Sequence, residues 1–188
     1  MDILLFVVQT AFILPIGIRM LDRQRSSPPP ARELVAGVRQ PGLLMHIVGL
    51  FLVWVGFGIA FWTTGLERSL TWQTGIANAL GLLATALMAS SFAVLRSWRF
   101  LARIDAGHEL CTAGIYSVLR HPIYVAFDLL AIGVAVAVPS ALVIAGAILL
   151  IAGGEIRARD EERVLVGAFG RRYQQYMRKV AARIPGVY

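Results

Sequence analysis

A second cysteine is missing from this chain of 188 residues, so Cys111 cannot close an internal disulfide. Histidine is scarce as well. His46, His108 and His121 show no ligand spacing and Cys111 has no partner thiol, which argues against a zinc site. No G-x-G-x-x-G occurs: Gly56 and Gly58 lie inside an apolar run and lack the third glycine, which excludes a Rossmann dinucleotide unit. Lysine is reduced to Lys179, the other seventeen of eighteen basic residues being arginine. With abundant Ala, Gly and Val, this usage points to a GC-rich prokaryotic genome. The N-terminus lacks the basic start and small-residue cleavage site of a secretory signal, Asp2 being its only early charge, so the first apolar run is expected to be a retained span. There is no internal repeat and no nucleic-acid module.

What the chain has is apolar length. It is 57% hydrophobic with a mean hydropathy of +0.69, too apolar for a soluble domain of this size. The expected class is an all-α integral membrane protein. On such a protein a net charge of +7 reports cytosolic loops and anionic headgroups. The first three apolar runs, Ile3–Ile18 with a kink at Pro15, Gly42–Trp62 and Thr74–Leu95, are each near the ~20 residues that cross a bilayer. A Pro/Ser/Arg linker, "RQRSSPPPAREL", separates the first two and should be an extended loop.

The fourth run, Pro122–Gly154, holds 33 residues. As one helix it would rise ~50 Å, too far for a core of ~30 Å. Pro139-Ser140 divides it, because proline removes a helical hydrogen bond and is tolerated in a new helix's first turn. The reading is a tight helical hairpin whose second helix continues beyond the membrane into "EIRARDEERVLVGAF". About five spans result: a three-helix region over 1–100, then a loop, hairpin and helical extension over 101–188, within one structural domain. The segments after spans one, three and five carry every basic residue except Arg68. The positive-inside rule therefore puts the N-terminus outside and the C-terminus in the cytosol. In the tail, Leu165, Phe169, Tyr173 and Tyr176 recur at helical spacing, either to pack on the hairpin or to lie in the interface.

Two stretches could carry chemistry. In "EIRARDEER", residues 155–163, Arg157 and Glu161 are four apart and share a helical face, flanked by Asp160 and Glu162. They read either as a solvated helix end with intrahelical ion pairs, or as an Arg157 fork for an anion beside a Glu161 that binds a polar or cationic group. In "GHELCTAGIYSVLRHPIY", Pro122 starts the fourth span, so Arg120 and His121 sit at its N-terminal mouth. There, free N–H groups suit a carboxylate or ribose oxygen, although Arg and Tyr are also common interfacial anchors. Asp128 lies inside the span, one turn past Tyr124. An intramembrane carboxylate is costly, so it faces either the site or a buried partner such as Asn78.

The pattern G-x-Y-x-x-x-R-H-P-x-Y, followed about 35 residues later by R-x-x-x-E-E-x-x-L-x-x-x-F-G-x-x-Y-x-x-Y, resembles the isoprenylcysteine carboxyl methyltransferase family, related to the phospholipid N-methyltransferases. The resemblance runs from about His108 to Pro185. It implies a membrane-embedded S-adenosylmethionine (SAM) site without a Rossmann domain. By the same resemblance, His108, Glu109, Leu110, Cys111, Tyr116, His121, Pro122, Ile123, Tyr124 and Glu161 contact the cofactor, and Arg157 faces the substrate. The chain departs from the family pattern at Ala126, usually Gly, and at Asp128, usually apolar or aromatic. Both would border the lipid substrate.

The expected activity is methyl transfer from SAM to an isoprenoid or lipid acceptor entering from the bilayer, at a plasma (inner) membrane if the source is prokaryotic. A carboxylate is already ionised at neutral pH and needs no base, whereas an amine or hydroxyl requires one, for which Glu162, Asp128 or His121 would be candidates. Other readings are an NADPH-dependent membrane reductase of sterol-reductase type and a non-catalytic protein whose Arg-rich tail binds membrane lipid.

Overall fold

A computed structural model describes residues 3–25, 41–64, 71–95 and 110–184. Seven helices appear among them: α1 (Ile3–Ala11), α2 (Ile13–Arg25), α3 (Pro41–Thr64), α4 (Trp72–Val94), α5 (Pro122–Ala137), α6 (Ala141–Phe169) and α7 (Arg171–Met177). A 3₁₀ turn covers Gly114–Ser117. Among the described residues, the one β-type pairing is a parallel bridge between Leu119 and Ala181. The fold is all-α. α3, α4 and α6 are long and apolar enough to cross a bilayer, and Leu4–Ile18 and Pro122–Ala137 are shorter apolar helices.

The first apolar run is not one kinked helix. It breaks at Phe12, three residues before Pro15. The displacement has a direct cause: proline cannot donate to the carbonyl four residues back, and its ring crowds that carbonyl, which here belongs to Ala11. The fourth run is a hairpin. α5 ends at Ala137, and Ser140 caps α6 by accepting from the Val143 N–H at 3.3 Å. α6 then continues through the charged stretch to Phe169, as its polar segment suggested.

Packing follows from small residues. α3 lies antiparallel along α6, with Gly42, Gly49 and Gly56 facing Gly153, Gly146 and Val143. A Cβ at Gly153 would come within 2.5 Å of the His46 amide nitrogen, so the two backbones touch. Without a hydrophobic force between helices in lipid, such close backbone contact is the main source of attraction. α4 packs antiparallel on α5, joining Ala77 with Ala131 and Val134 at one level, and Ala84 and Met88 with Ala126 and Leu130 at another. These pairings bring the start of α3, the end of α4, the start of α5 and Gly154 of α6 to one end of the bundle.

Helix α6 ends at Gly170, whose φ of +53° turns the chain into α7. Glycine takes this left-handed conformation without a Cβ clash. Leu165, Phe169, Tyr173 and Tyr176 therefore do not form one continuous helical stripe. Tyr173 is fully buried, and the Tyr176 hydroxyl donates to the Tyr116 carbonyl at 2.5 Å. For these two tyrosines, packing is the outcome.

Candidate active site

The shared end of the bundle carries a ladder of polar groups between α5 and α6. His121, immediately before α5, faces two consecutive carboxylates: Nε2 lies 3.1 Å from Glu162 Oε1, and Nδ1 lies 3.7 Å from Glu161 Oε2. One turn into α5, the Tyr124 hydroxyl donates to Glu161 Oε1 at 2.5 Å and accepts from Arg157 Nε at 2.8 Å. The Arg157 guanidinium also sits 5.7 Å from the centroid of the Tyr124 ring. Its direct approach to Glu161 is longer, 3.9 Å. The i, i+4 spacing thus does put Arg157 and Glu161 on one face, and a tyrosine from another helix joins them.

Arg120 locks this mouth from outside. Its Nε donates to Glu162 at 2.8 Å, and Nη1 donates to the carbonyls of Met177 and Val180 at 2.8 and 2.5 Å. The backbone N–H groups of Arg120 and His121 donate to the carbonyls of Ala181 and Ala182 at 2.8 and 3.0 Å. The segment after α7 therefore straps the entrance to α5 and occupies N–H groups that the sequence left open for a ligand. Burial alone would raise the Glu162 carboxyl, but its hydrogen bond with His121 and the charges of His121 and Arg120 hold it below the usual carboxylate range. Glu162 lies beyond the apolar part of α6, which ends at Gly154.

The side chains of Arg157, His121 and Glu162 are 8%, 4% and 10% exposed, whereas Glu161 is 27% exposed. Glu161 is thus the acidic group of the ladder that an incoming polar molecule can reach. Its carboxylate has four lone-pair sites and spends one on Tyr124.

Asp128 is not paired with Asn78. It pairs with Arg183 of the C-terminal strap, whose Nη1 also donates to Glu155 Oε2 at 3.1 Å and to the Ile151 carbonyl at 3.4 Å. The sequence reading missed Arg183. The signal was there in part, since a carboxylate inside an apolar span demands a cation, but nothing in the spacing pointed 55 residues ahead. His46 of α3 was also missed as a neighbour of the site. Its Nδ1 lies 3.2 Å from the Leu150 carbonyl, and its ring meets Tyr124 edge-on at 5.8 Å.

Of the remaining expected positions, Pro122 is fully buried, and Ile123 packs against the cluster of Phe12, Ala84, Met88 and Leu130 that encloses Ala126. Ala126 is therefore in helix–helix packing. Leu110 and Cys111 are half-buried, the Cys111 thiol lying 3.8 Å from the Val94 carbonyl. Tyr116 is buried in the 3₁₀ turn. His108 and Glu109 lie outside the described residues.

Comparison with known proteins matches residues 77–167 to the isoprenylcysteine carboxyl methyltransferase family. A protein-S-isoprenylcysteine O-methyltransferase of Schizosaccharomyces pombe is 32% identical over 114 residues, which is 57% of this chain and 48% of that protein. Protein-S-isoprenylcysteine O-methyltransferase B of Arabidopsis thaliana is 33% identical over 95 residues, 49% of this chain and 48% of that protein. The chain thus spans about half the length of the curated relatives it matches. In fold it is similar to a solved eukaryotic intramembrane Ras methyltransferase, with a TM-score of 0.58 at 23% identity over 77% of this chain and 53% of that one. Motif and family match converge on the polar hairpin, which is similar in sequence to the isoprenylcysteine carboxyl methyltransferase family.

Proposed function

We propose that this chain is an integral membrane methyltransferase that moves the methyl group of SAM to a lipophilic acceptor, by preference onto a carboxylate. The observation that carries the reading is the hydroxyl of Tyr124 joining a reachable Glu161 to a buried Arg157 at the polar end of an apolar hairpin. When bound, SAM supplies an electrophilic methyl on a sulfonium. The donor set fits such a cofactor. Glu161 offers acceptor sites for ribose hydroxyls or an ammonium, with His121 and Tyr124 beside it, and Leu110, Cys111 and Tyr116 are the further contacts that the family pattern implies.

Arg157 is the residue assigned to the acceptor. Tyr124 holds its Nε and its ring underlies the guanidinium, so the planar fork is preset to orient an anion. Displacement at a methyl group chiefly needs alignment and exclusion of water, and positioning can supply about 7–11 kcal/mol of a barrier at best. A carboxylate acceptor requires no proton to be removed. The state of Glu162 supports that choice: it is held ionised by Arg120 and His121, which makes it a poor proton acceptor. The polar end is assigned to the cytosol on the arginine distribution, so that SAM enters from water and the acceptor from the bilayer. In a prokaryote this is the plasma membrane.

Calorimetric titration of the detergent-solubilised protein with SAM, S-adenosylhomocysteine and NADPH tests the reading. SAM or its product should bind in the micromolar range, and binding should weaken at least tenfold in Glu161→Ala. NADPH binding alone would move the chain to the reductases, and binding of none of them would leave a non-catalytic membrane protein.

A further inference from the structure

The segment that follows α7 is fastened at two levels. At the mouth of α5, the N–H groups of Arg120 and His121 donate to the carbonyls of Ala181 and Ala182, and Arg120 Nη1 donates to those of Met177 and Val180. Deeper in the bundle, Arg183 Nη2 donates to Asp128 on α5, while Nη1 donates to Glu155 and to the Ile151 carbonyl on α6. Gly154 leaves room for this guanidinium, since a Cβ there would stand 3.4 Å from Arg183 Nη2. The Arg183 side chain is 9% exposed, whereas Arg178 and Lys179 before it and Ile184 after it are exposed. Arg183 is thus the buried charge that pins the strap. A buried ion pair adds little net stability over an apolar pair of similar volume, yet it selects one arrangement, because a slip leaves charges buried and unpaired. The residue that receives the latch, Asp128, is also where this chain departs from the family pattern.

The strap reaches the site through Arg120. One guanidinium holds the strap carbonyls with Nη1 and Glu162 with Nε at 2.8 Å. Glu162 Oε1 also lies 3.1 Å from His121 Nε2, and His121 Nδ1 stands 3.7 Å from Glu161 Oε2. Lifting the strap would strip Arg120 and His121 of these carbonyl partners and free the pair that faces Glu161. We propose that the strap is a closing element of the site: Arg183 latches it, Arg120 passes its position to Glu162 and His121, and SAM binds the latched state in preference to the open one. Arg183 and Arg120 are then positioning residues, and strap closure and cofactor binding are coupled. The inference rests on the methyltransferase reading.

Trypsin reads the strap directly. It cuts after Arg178 and Lys179, whose N–H groups are bonded to the carbonyls of Gln174 and Tyr176, so cleavage there requires local opening. The solubilised full chain is treated with dilute trypsin, so that reclosing outpaces cutting and the rate follows the open population. Release of the C-terminal peptide while α6 remains uncut is scored by mass, with and without S-adenosylhomocysteine, whose Kd is measured by calorimetry. If the product binds the latched state, it should slow release in proportion to its saturation, approaching about 100-fold at about 100 times its Kd. Binding of S-adenosylhomocysteine with no slowing of release would overturn the coupling, and that measurement needs no variant to fold. Without ligand, Arg183→Gln should release the peptide at least about tenfold faster than wild type, with Arg183→Lys intermediate because it restores the charge without the fork. Asp128→Asn, which leaves Arg183 its bond to Glu155, should speed release by about three- to tenfold. Wild-type release rates in both Arg183→Gln and Asp128→Asn would overturn the latch. Failure of wild type to bind SAM or S-adenosylhomocysteine would instead remove the methyltransferase reading, and the coupling with it.

Discussion

Replacing Tyr124 with phenylalanine isolates one oxygen atom. The ring stays, and with it the edge contact to His46 and the face beneath Arg157. Two hydrogen bonds go: the 2.8 Å bond from Arg157 Nε and the 2.5 Å bond to Glu161 Oε1. Each has a charged partner, and such bonds are worth about 1.5–3 kcal/mol. Their loss is not simply additive, because Arg157 and Glu161 already stand 3.9 Å apart and can close into a direct ion pair. That rearrangement recovers part of the energy but draws the guanidinium away from the place proposed for the acceptor and blocks the carboxylate proposed to meet the cofactor. A net loss of about 2–4 kcal/mol in transition-state stabilisation follows, or roughly 30- to 1,000-fold in kcat/KM. The assay is methyl transfer from labelled SAM, with calorimetric SAM binding beside it. Both should fall, turnover more than binding. A Tyr124→Phe enzyme within threefold of wild type in kcat/KM would refute the claim that this hydroxyl organises the site.

Three other perturbations separate the roles of neighbouring residues. Arg157→Lys keeps the charge but loses the planar fork and the Nε that Tyr124 holds, so kcat should drop by about ten- to a hundredfold with SAM affinity nearly unchanged; a wild-type rate would exclude bidentate anchoring. Because the Glu162 carboxyl is depressed in the fold, its contribution to stability is complete above the ordinary carboxylate pKa of about 4.3 and is lost as pH falls through the lower folded value. Thermal midpoints in detergent should therefore decline on acidification below about pH 4.3, and Glu162→Gln should be less stable at neutral pH with a shallower acid limb. At Gly49, an added Cβ meets the backbone of Leu150 and Gly146, so Gly49→Val should force α3 off α6 and cost about 1–3 kcal/mol or more, visible as a lower melting temperature; an unchanged midpoint would contradict the close backbone packing.

Local sequence determined a great deal here. Apolar runs of bilayer length dictate spanning helices, because backbone groups in lipid must be satisfied within the segment. Pro139 and Ser140 divide the fourth run for reasons visible in the residues themselves: a missing donor and a good cap. The i, i+4 spacing of Arg157 and Glu161 is a property of any α-helix and needed no partner to be read. Even where the reading of the first run misplaced its break, the cause was local, since Pro15 acts on the carbonyl of Ala11.

Tertiary structure decided what those residues meet. Tyr124 is 33 positions from Arg157, and only the hairpin brings its hydroxyl between Arg157 and Glu161. Glu162 looked like a candidate base by chemistry alone; Arg120 and His121, more than 40 positions away, turn it into a held carboxylate. The strap over the α5 entrance hangs on the turn at Gly170 and on Arg183, one of several arginines in the tail, which no local spacing distinguishes from the others. Helical periodicity reports on neighbours within a turn or two, because that is the range over which a helix repeats. Partners separated by a membrane crossing are set by how the helices pack, and here that packing depends on glycines whose significance appears only when a second backbone lies against them.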